Sequence, residues 1–557
     1  MKSQIKSKLF LLFIAILLVK IGVSLFMTGP TIFSDEPCVI QKAIYFAAHG
    51  KMDTCENIIQ TEAGNPQSLY SFLISAIYLF TGGTVAYHLV LAFNALLVAS
   101  MIFPLYRILK RFVMDGVALC FAAGLLFLPQ VVAFETTVMT ETLFLVINVW
   151  FLHFYMNSLD TNAGGGRRKT INKVMAVALA ILGVFTRPFG FVLFGAMTVN
   201  EFFILKNRKN IALFYLPLAI FLVGLTLFKL VPEFIPHVKG DINGYMDFLG
   251  MSRALVSQMN SFIVATFIVP MFIFCSHVYR NGHDLLSKMK YFLISFVVML
   301  LFISARHIYG YYGENMDPGL LTRYINVPIF VIILFSIIFF NTYKQSIFNK
   351  TNLIIGSVFA VCMFFLNYKS IKYSLNMDIA IFYGKLKTGL QDFVFIKKYF
   401  MPIILCIYLA LVALLLTGKN KILLAAMTIV FFAQTSMIVF DEIKNAGVKF
   451  EVVEYFRDKN ENVVFFEEDS PSNMANVKSF DFWRLLVLSR GNVKFGRLVG
   501  VDVKNRELKL LPEEINGFKK EFNYVVSSMK LNLPLLKRVE GKGMGLTYKD
   551  AYIYKLN

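Results

Sequence analysis

Residues 8–36 read KLFLLFIAILLVKIGVSLFMTGPTIFSDE: an apolar run over 8–27, a Gly-Pro exit, and then the acidic pair Asp35 and Glu36. A bilayer core of about 30 Å takes roughly 20 apolar residues of α-helix, so this run is long enough to cross a membrane alone. A basic start before an apolar run also opens secretory signal peptides. Here the run is span-length, and the exit Phe26-Met27-Thr28-Gly29-Pro30 carries no small-x-small cleavage pattern, so the segment reads as an uncleaved anchor.

Working outward, the same kind of run recurs about thirteen times, near 8–27, 85–106, 114–133, 141–158, 173–187, 188–205, 211–230, 256–278, 289–305, 324–340, 351–367, 400–417 and 421–440. Composition agrees: the 557 residues are 57% hydrophobic and only 16% charged, and mean hydropathy is +0.63, values that exclude an ordinary soluble enzyme. The net charge of +20 raises the question of nucleic acid. It is better explained by basic residues flanking spans, and no nucleic-acid partner is expected.

Orientation follows from the short loops, because Lys and Arg stay on the cytoplasmic side. With Lys2, Lys6 and Lys8 inside, the clusters Arg107-Ile108-Leu109-Lys110-Arg111, Arg167-Arg168-Lys169, Lys206-Asn207-Arg208-Lys209 and Lys419-Asn420-Lys421 all fall on the same face. The N-terminus is then cytoplasmic, and the long loops 28–84, 231–255, 306–323 and 368–399 lie outside, with the tail after 440. That tail has mixed charge and short apolar stretches at Val463–Phe466, Tyr524–Val526 and Ala551–Tyr554 that read as strands, with helical spacing over 448–459 and 480–489. The fold class is therefore mainly α: a polytopic membrane helix bundle over 1–440 and a small extracytoplasmic α/β domain over 441–557.

Within the first outer loop, Ile40, Ala43, Ile44 and Ala47 recur at helical spacing, and 66–80 is a second amphipathic stretch, so two surface helices are expected there. The six cysteines show no CxxC or Cys/His spacing; Cys38 and Cys55 share this loop and stand either as a disulfide or as two free thiols.

Carboxylates at the edge of hydrocarbon are costly and tend to mark function. Asp35 and Glu36 follow the first span, and Glu141 opens the fourth. Each has a plainer reading: the pair as the cap of a surface helix, Glu141 as a first-turn residue favoured by the helix dipole. Cations share the same outer face. Arg187 closes the fifth span, and Arg306, His307, Arg323 and Tyr324 bracket an outer loop. Guanidinium groups bind phosphate bidentately, and near a bilayer the natural phosphate heads a lipid; snorkelling to ordinary headgroups is the alternative.

Taken together, Ser34-Asp35-Glu36-Pro37, Asn65-Pro66-Gln67-Ser68-Leu69-Tyr70, Val138-Met139-Thr140-Glu141, Thr186-Arg187-Pro188-Phe189-Gly190 and Thr322-Arg323-Tyr324 followed by Pro328 resemble the GT-C glycosyltransferases. These are multispanning enzymes that include protein O-mannosyltransferases and the aminoarabinose transferases of lipid A. The resemblance covers about 1–340 and implies an integral enzyme of the cytoplasmic (inner) membrane. Such an enzyme transfers a monosaccharide from a polyprenyl-phosphate donor to a lipid, glycan or protein acceptor at the outer face, usually with inversion. It implies Asp35 as general base, Glu36 and Glu141 as further acidic site residues, and Arg187, Arg306, Arg323 and Tyr324 around the donor phosphate. No cofactor is required by the sequence; a divalent metal, used by some relatives, would fall to Asp35 or Glu141. Two other functions fit the spans: a transporter or flippase of a lipid-linked saccharide, and a non-catalytic scaffold of an envelope-assembly complex. The chain lacks the repeated halves of many transporters, and transport does not account for the outer domain.

Overall fold

The structure is a computed structural model of the chain. It describes residues 2–27, 36–51, 68–160, 165–205, 254–255, 258, 269–279, 283–312, 326–343, 455–456, 461–466, 493–496, 507–508, 519–520, 522–527, 530–531, 533–540 and 550–556. The chain divides into two compact units, one of Met1–Leu18, Leu96–Phe134 and Glu141–Asp441, the other of Val19–Ala95, Glu135–Thr140 and Glu442–Asn557.

Apolar sequence in a bilayer must satisfy its backbone internally, and the described residues do so as helices. In chain order these are α1 (Lys2–Leu25), α2 (Glu36–His49), α3 (Ser68–Tyr78), α4 (Gly83–Ser100), α5 (Ile102–Leu109), α6 (Asp115–Leu126), α7 (Pro129–Glu135), α8 (Thr140–Leu159), α9 (Gly166–Thr186), α10 (Phe191–Asn200), α11 (Val269–His277), α12 (Asp284–Tyr312) and α13 (Asn326–Thr342). Among the described residues, five segments are long and apolar enough to cross a membrane: Ser7–Leu25, Gly83–Leu109, Thr140–Leu159, Gly166–Thr186 and Asp284–Ala305. They match the expected spans near 8–27, 85–106, 141–158, 173–187 and 289–305. The run near 114–133 is α6 and α7, bent by 51°. The bend falls where Pro129, first residue of α7, has no N–H to continue the ladder of α6.

The runs near 188–205 and 324–340 appear as the shorter helices Phe191–Phe203 and Asn326–Thr342. Of 256–278, helix α11 and residue 258 are described. The expected spans at 211–230, 351–367, 400–417 and 421–440 lie outside the described residues, as do the stretch 480–489 and all of 448–459 except 455–456.

In the first unit, aromatic rings bind α8 to α12. Phe151, Tyr155, Phe292 and Phe296 form a chain with centroids 5.1–5.6 Å apart, a spacing at which rings gain beyond their buried area. Beside them, buried Asn200 donates from Nδ2 to Tyr155 Oη and Lys288 O, both at 2.8 Å, and accepts from the Phe292 N–H at 3.0 Å. Helices α9 and α10 join through a single 3₁₀ turn, Pro188–Gly190. That joint requires glycine: a Cβ on Gly190 would stand 2.3 Å from the carbonyl carbon of Gly183.

In the second unit, α2 and α3 are the two expected helices of the first loop. The Ser71 hydroxyl donates to Val39 O at 3.0 Å. Cys38, on α2, is disulfide-bonded; Cys55 lies outside the described residues. The C-terminal segment supplies strands β1 (Val463–Phe466), β2 (Val493–Gly496), β3 (Glu507–Leu508), β4 (Tyr524–Ser527), β5 (Lys530–Leu531), β6 (Leu535–Glu540) and β7 (Asp550–Lys555). Five form a mixed sheet in the order β2-β1-β4-β7-β6. There β1 is parallel to both neighbours, β7 is antiparallel to both of its own, and β3 pairs separately with β5. The three expected strand stretches are β1, β4 and β7.

Candidate active site

Thr140 and Glu141 start α8. The Thr142 hydroxyl donates to Phe134 O at 2.7 Å, which fastens this first turn to the end of α7. Arg187 is held from the other direction. It follows the last residue of α9 in an extended conformation (φ −151°, ψ 142°), with its N–H still donating to Gly183 O at 2.9 Å. Pro188 then ends the helix. The result is an ion pair, Arg187 Nη1 to Glu141 Oε1 at 2.8 Å, with both residues 4% exposed. The guanidinium carbon lies 5.4 Å from the Phe189 ring centroid, a cation–π distance. The pair lines a narrow cavity of about 20 Å³ with Gln130, Phe189, Asn326 and Phe330, enough for about one water.

The second unit fixes the segment that leads into Thr140. Glu36 is fully buried, and its Oε1 accepts from Tyr87 Oη at 3.1 Å and from the Val138 N–H at 2.8 Å. Asn94 accepts from Tyr70 Oη at 2.7 Å and donates to Thr137 O at 2.8 Å and Glu135 O at 3.3 Å. Glu135 itself is paired with Lys20 of α1, both buried. Burial, and secondarily the charge of Glu36, push the Tyr78 hydroxyl above its ordinary pKa.

Of the sequence-predicted site residues, the structure brings Glu141 and Arg187 together and places Glu36 under the chain just ahead of them in sequence. Asp35, Arg323 and Tyr324 lie outside the described residues; Arg306 belongs to α12, but its side chain is not described. Among the described residues no group of three or more His, Cys, Asp or Glu could hold a metal ion.

No family model matches the sequence, and no curated protein matches it. Solved structures do. ArnT from Cupriavidus metallidurans in the apo state is 13% identical, with a TM-score of 0.53 over 99% of this chain and 98% of that one. The same protein bound to undecaprenyl phosphate matches at 13% identity and a TM-score of 0.53 over 98% of each chain. The fold is of the GT-C type. A further match, at 11% identity and a TM-score of 0.39, covers 92% of this chain and 69% of the apo oligosaccharyltransferase of Archaeoglobus fulgidus.

Within this GT-C fold, sequence reasoning missed Lys20, Tyr87, Asn94, Glu135 and Asn326. One had a signal: Lys20 is a lone cation late in an apolar span, where an ionisable group calls for a partner. Asn94 and Tyr87 sit in the apolar run of α4 with nothing in their spacing to mark them, and Asn326 takes its place only from the packing of α13.

Proposed function

We propose that the protein is an integral-membrane glycosyltransferase that moves a monosaccharide from a polyprenyl-phosphate carrier to an acceptor at the outer face of the cell membrane. The observation that carries this reading is the buried Glu141–Arg187 pair lining a cavity, in a chain with the fold of ArnT, one structure of which holds undecaprenyl phosphate. Buried charges are costly, and a pair kept beside a cavity is chemistry in reserve.

In the proposed reaction Asp35 takes the proton of an acceptor hydroxyl as its oxygen attacks the anomeric carbon. The bond from that carbon to the carrier phosphate breaks, the lipid phosphate leaves with the electron pair, and configuration inverts. Charge develops on the leaving phosphate, where Arg187, Arg306 and Arg323, with Tyr324, supply donors. A guanidinium has five N–H donors, so an arginine can hold a carboxylate and a phosphate oxygen at once. Glu36 and Glu141 order the site; a divalent cation, where one takes part, would be held by Asp35 or Glu141. Acceptors of this class are a glycolipid, a cell-envelope polymer or a protein hydroxyl.

The test is label transfer by purified, reconstituted protein offered a panel of polyprenyl-phosphate monosaccharides, with crude envelope extract as acceptor, comparing wild type with Asp35→Asn. Label moved by the wild type alone supports the reading and names the donor. Folded wild type that transfers nothing from any donor sinks it in favour of a transporter or scaffold.

A further inference from the structure

The wall of the cavity beside Glu141 and Arg187 carries an amide oxygen that the fold does not use. Asn326 is the first residue of α13 and is 8% exposed, yet its buried Oδ1 has no hydrogen-bond partner. Asn200 is a contrast: buried, and bonded at both ends of its amide, with three bonds to α8 and α12. A buried carbonyl left without a donor weakens the fold, so natural cores rarely keep one without a task.

We propose that Asn326 is a ligand-binding residue of the same site, accepting a hydrogen bond through Oδ1 from a sugar hydroxyl. The chemistry is specific. A carbonyl oxygen selects a donor, the cavity has room for one hydroxyl-sized group, and its walls of Phe134, Phe144, Phe189 and Phe330 disfavour a second charge. This rests on the glycosyltransferase reading and names a residue that discriminates sugars within it. The hydroxyl belongs either to the donor sugar or to a glycan acceptor.

The experiment uses Asn326→Leu, which keeps the branching of the side chain, is somewhat larger and has no polar group, in full-length reconstituted protein. Melting temperature is read along with KM for the polyprenyl-phosphate monosaccharide and for the acceptor. The expected result is a melting temperature equal to or above wild type, because an unpaired buried polar atom is gone, with KM for one substrate raised about tenfold, the equivalent of about 1.4 kcal/mol. A rise confined to the donor places the hydroxyl on the transferred sugar; a rise confined to the acceptor places it there. A donor lacking one hydroxyl should then show no further loss in the variant. Wild-type KM for both substrates overturns the assignment, and so does a fall of several degrees in melting temperature, which would make the amide structural. Wild type that transfers nothing is the separate failure of the proposed function.

Discussion

Breaking the Glu141–Arg187 pair from one side should damage the protein more than removing it altogether. At 2.8 Å and an effective dielectric of about 20, the two charges attract by about 6 kcal/mol. Taking each from water costs several kcal/mol, so the intact pair comes out near balance. Arg187→Met alone leaves Glu141 with the cost and without this attraction, a loss of about 3–5 kcal/mol; Glu141→Met alone does the same to Arg187. The double variant, with two flexible apolar chains in the same space, removes both the attraction and both costs. It should be more stable than either single, with a coupling of at least about 2 kcal/mol. The assay is thermal unfolding of the purified protein in detergent, with the four proteins of the cycle measured side by side and transfer activity read on each. Additive losses would refute the reasoning, since two residues that do not depend on each other cannot form a coupled buried pair. Activity supplies the independent axis: the double variant recovers stability but not transfer.

Asp35→Asn should abolish transfer while the melting temperature stays within a degree or two of wild type; near-normal turnover would move the role of base to Glu141. Arg323→Ala should weaken binding of the polyprenyl-phosphate donor more than it disturbs folding, and unchanged donor affinity would leave headgroup snorkelling as the role of that side chain. Gly190→Ala should lower the melting temperature, because the added methyl meets the backbone of Gly183 at 2.3 Å and overpacking of this kind costs about 1–3 kcal/mol or more. A variant as stable as wild type would show that the turn between α9 and α10 opens freely.

The helical fold was legible wherever hydrophobicity alone decides it. Five expected runs became helices of spanning length because a lipid-facing backbone has no other solution. By hydropathy the run near 114–133 is one element, and its bend is also in the sequence, at Pro129. The helices of the first loop followed from periodicity, and the three strands from short apolar stretches. For the site, single residues were legible and partnerships were not. Glu141 and Arg187 stood out as charges at span ends, but nothing in a separation of 46 positions announces that Thr142 and Pro188 turn them toward each other. Glu36 was expected beside Asp35 as a site carboxylate, and its observed bonds are to Tyr87 and Val138, a use that depends on where α4 and the 135–140 segment pack. Asn326 was illegible for the same reason: an amide shows its lack of a partner only when its surroundings are known.

Three of the ion pairs in the described residues stand near apolar helices and do not mean the same thing. Lys20–Glu135 ties α1 to the end of α7, and Asn94 fixes the carbonyls of Glu135 and Thr137 on the same segment; together they secure a backbone. Lys173–Glu201, at 3.1 Å with the lysine a quarter exposed, joins α9 to the turn after α10. Glu141–Arg187 also joins two elements, but it does so on the wall of a cavity that carries an unbonded amide oxygen. A pair that served packing alone would be sealed by its neighbours, as the interior of a close-packed core is. This one is left with a space for a polar group and an acceptor oxygen on its wall, and the proposed site rests on that combination.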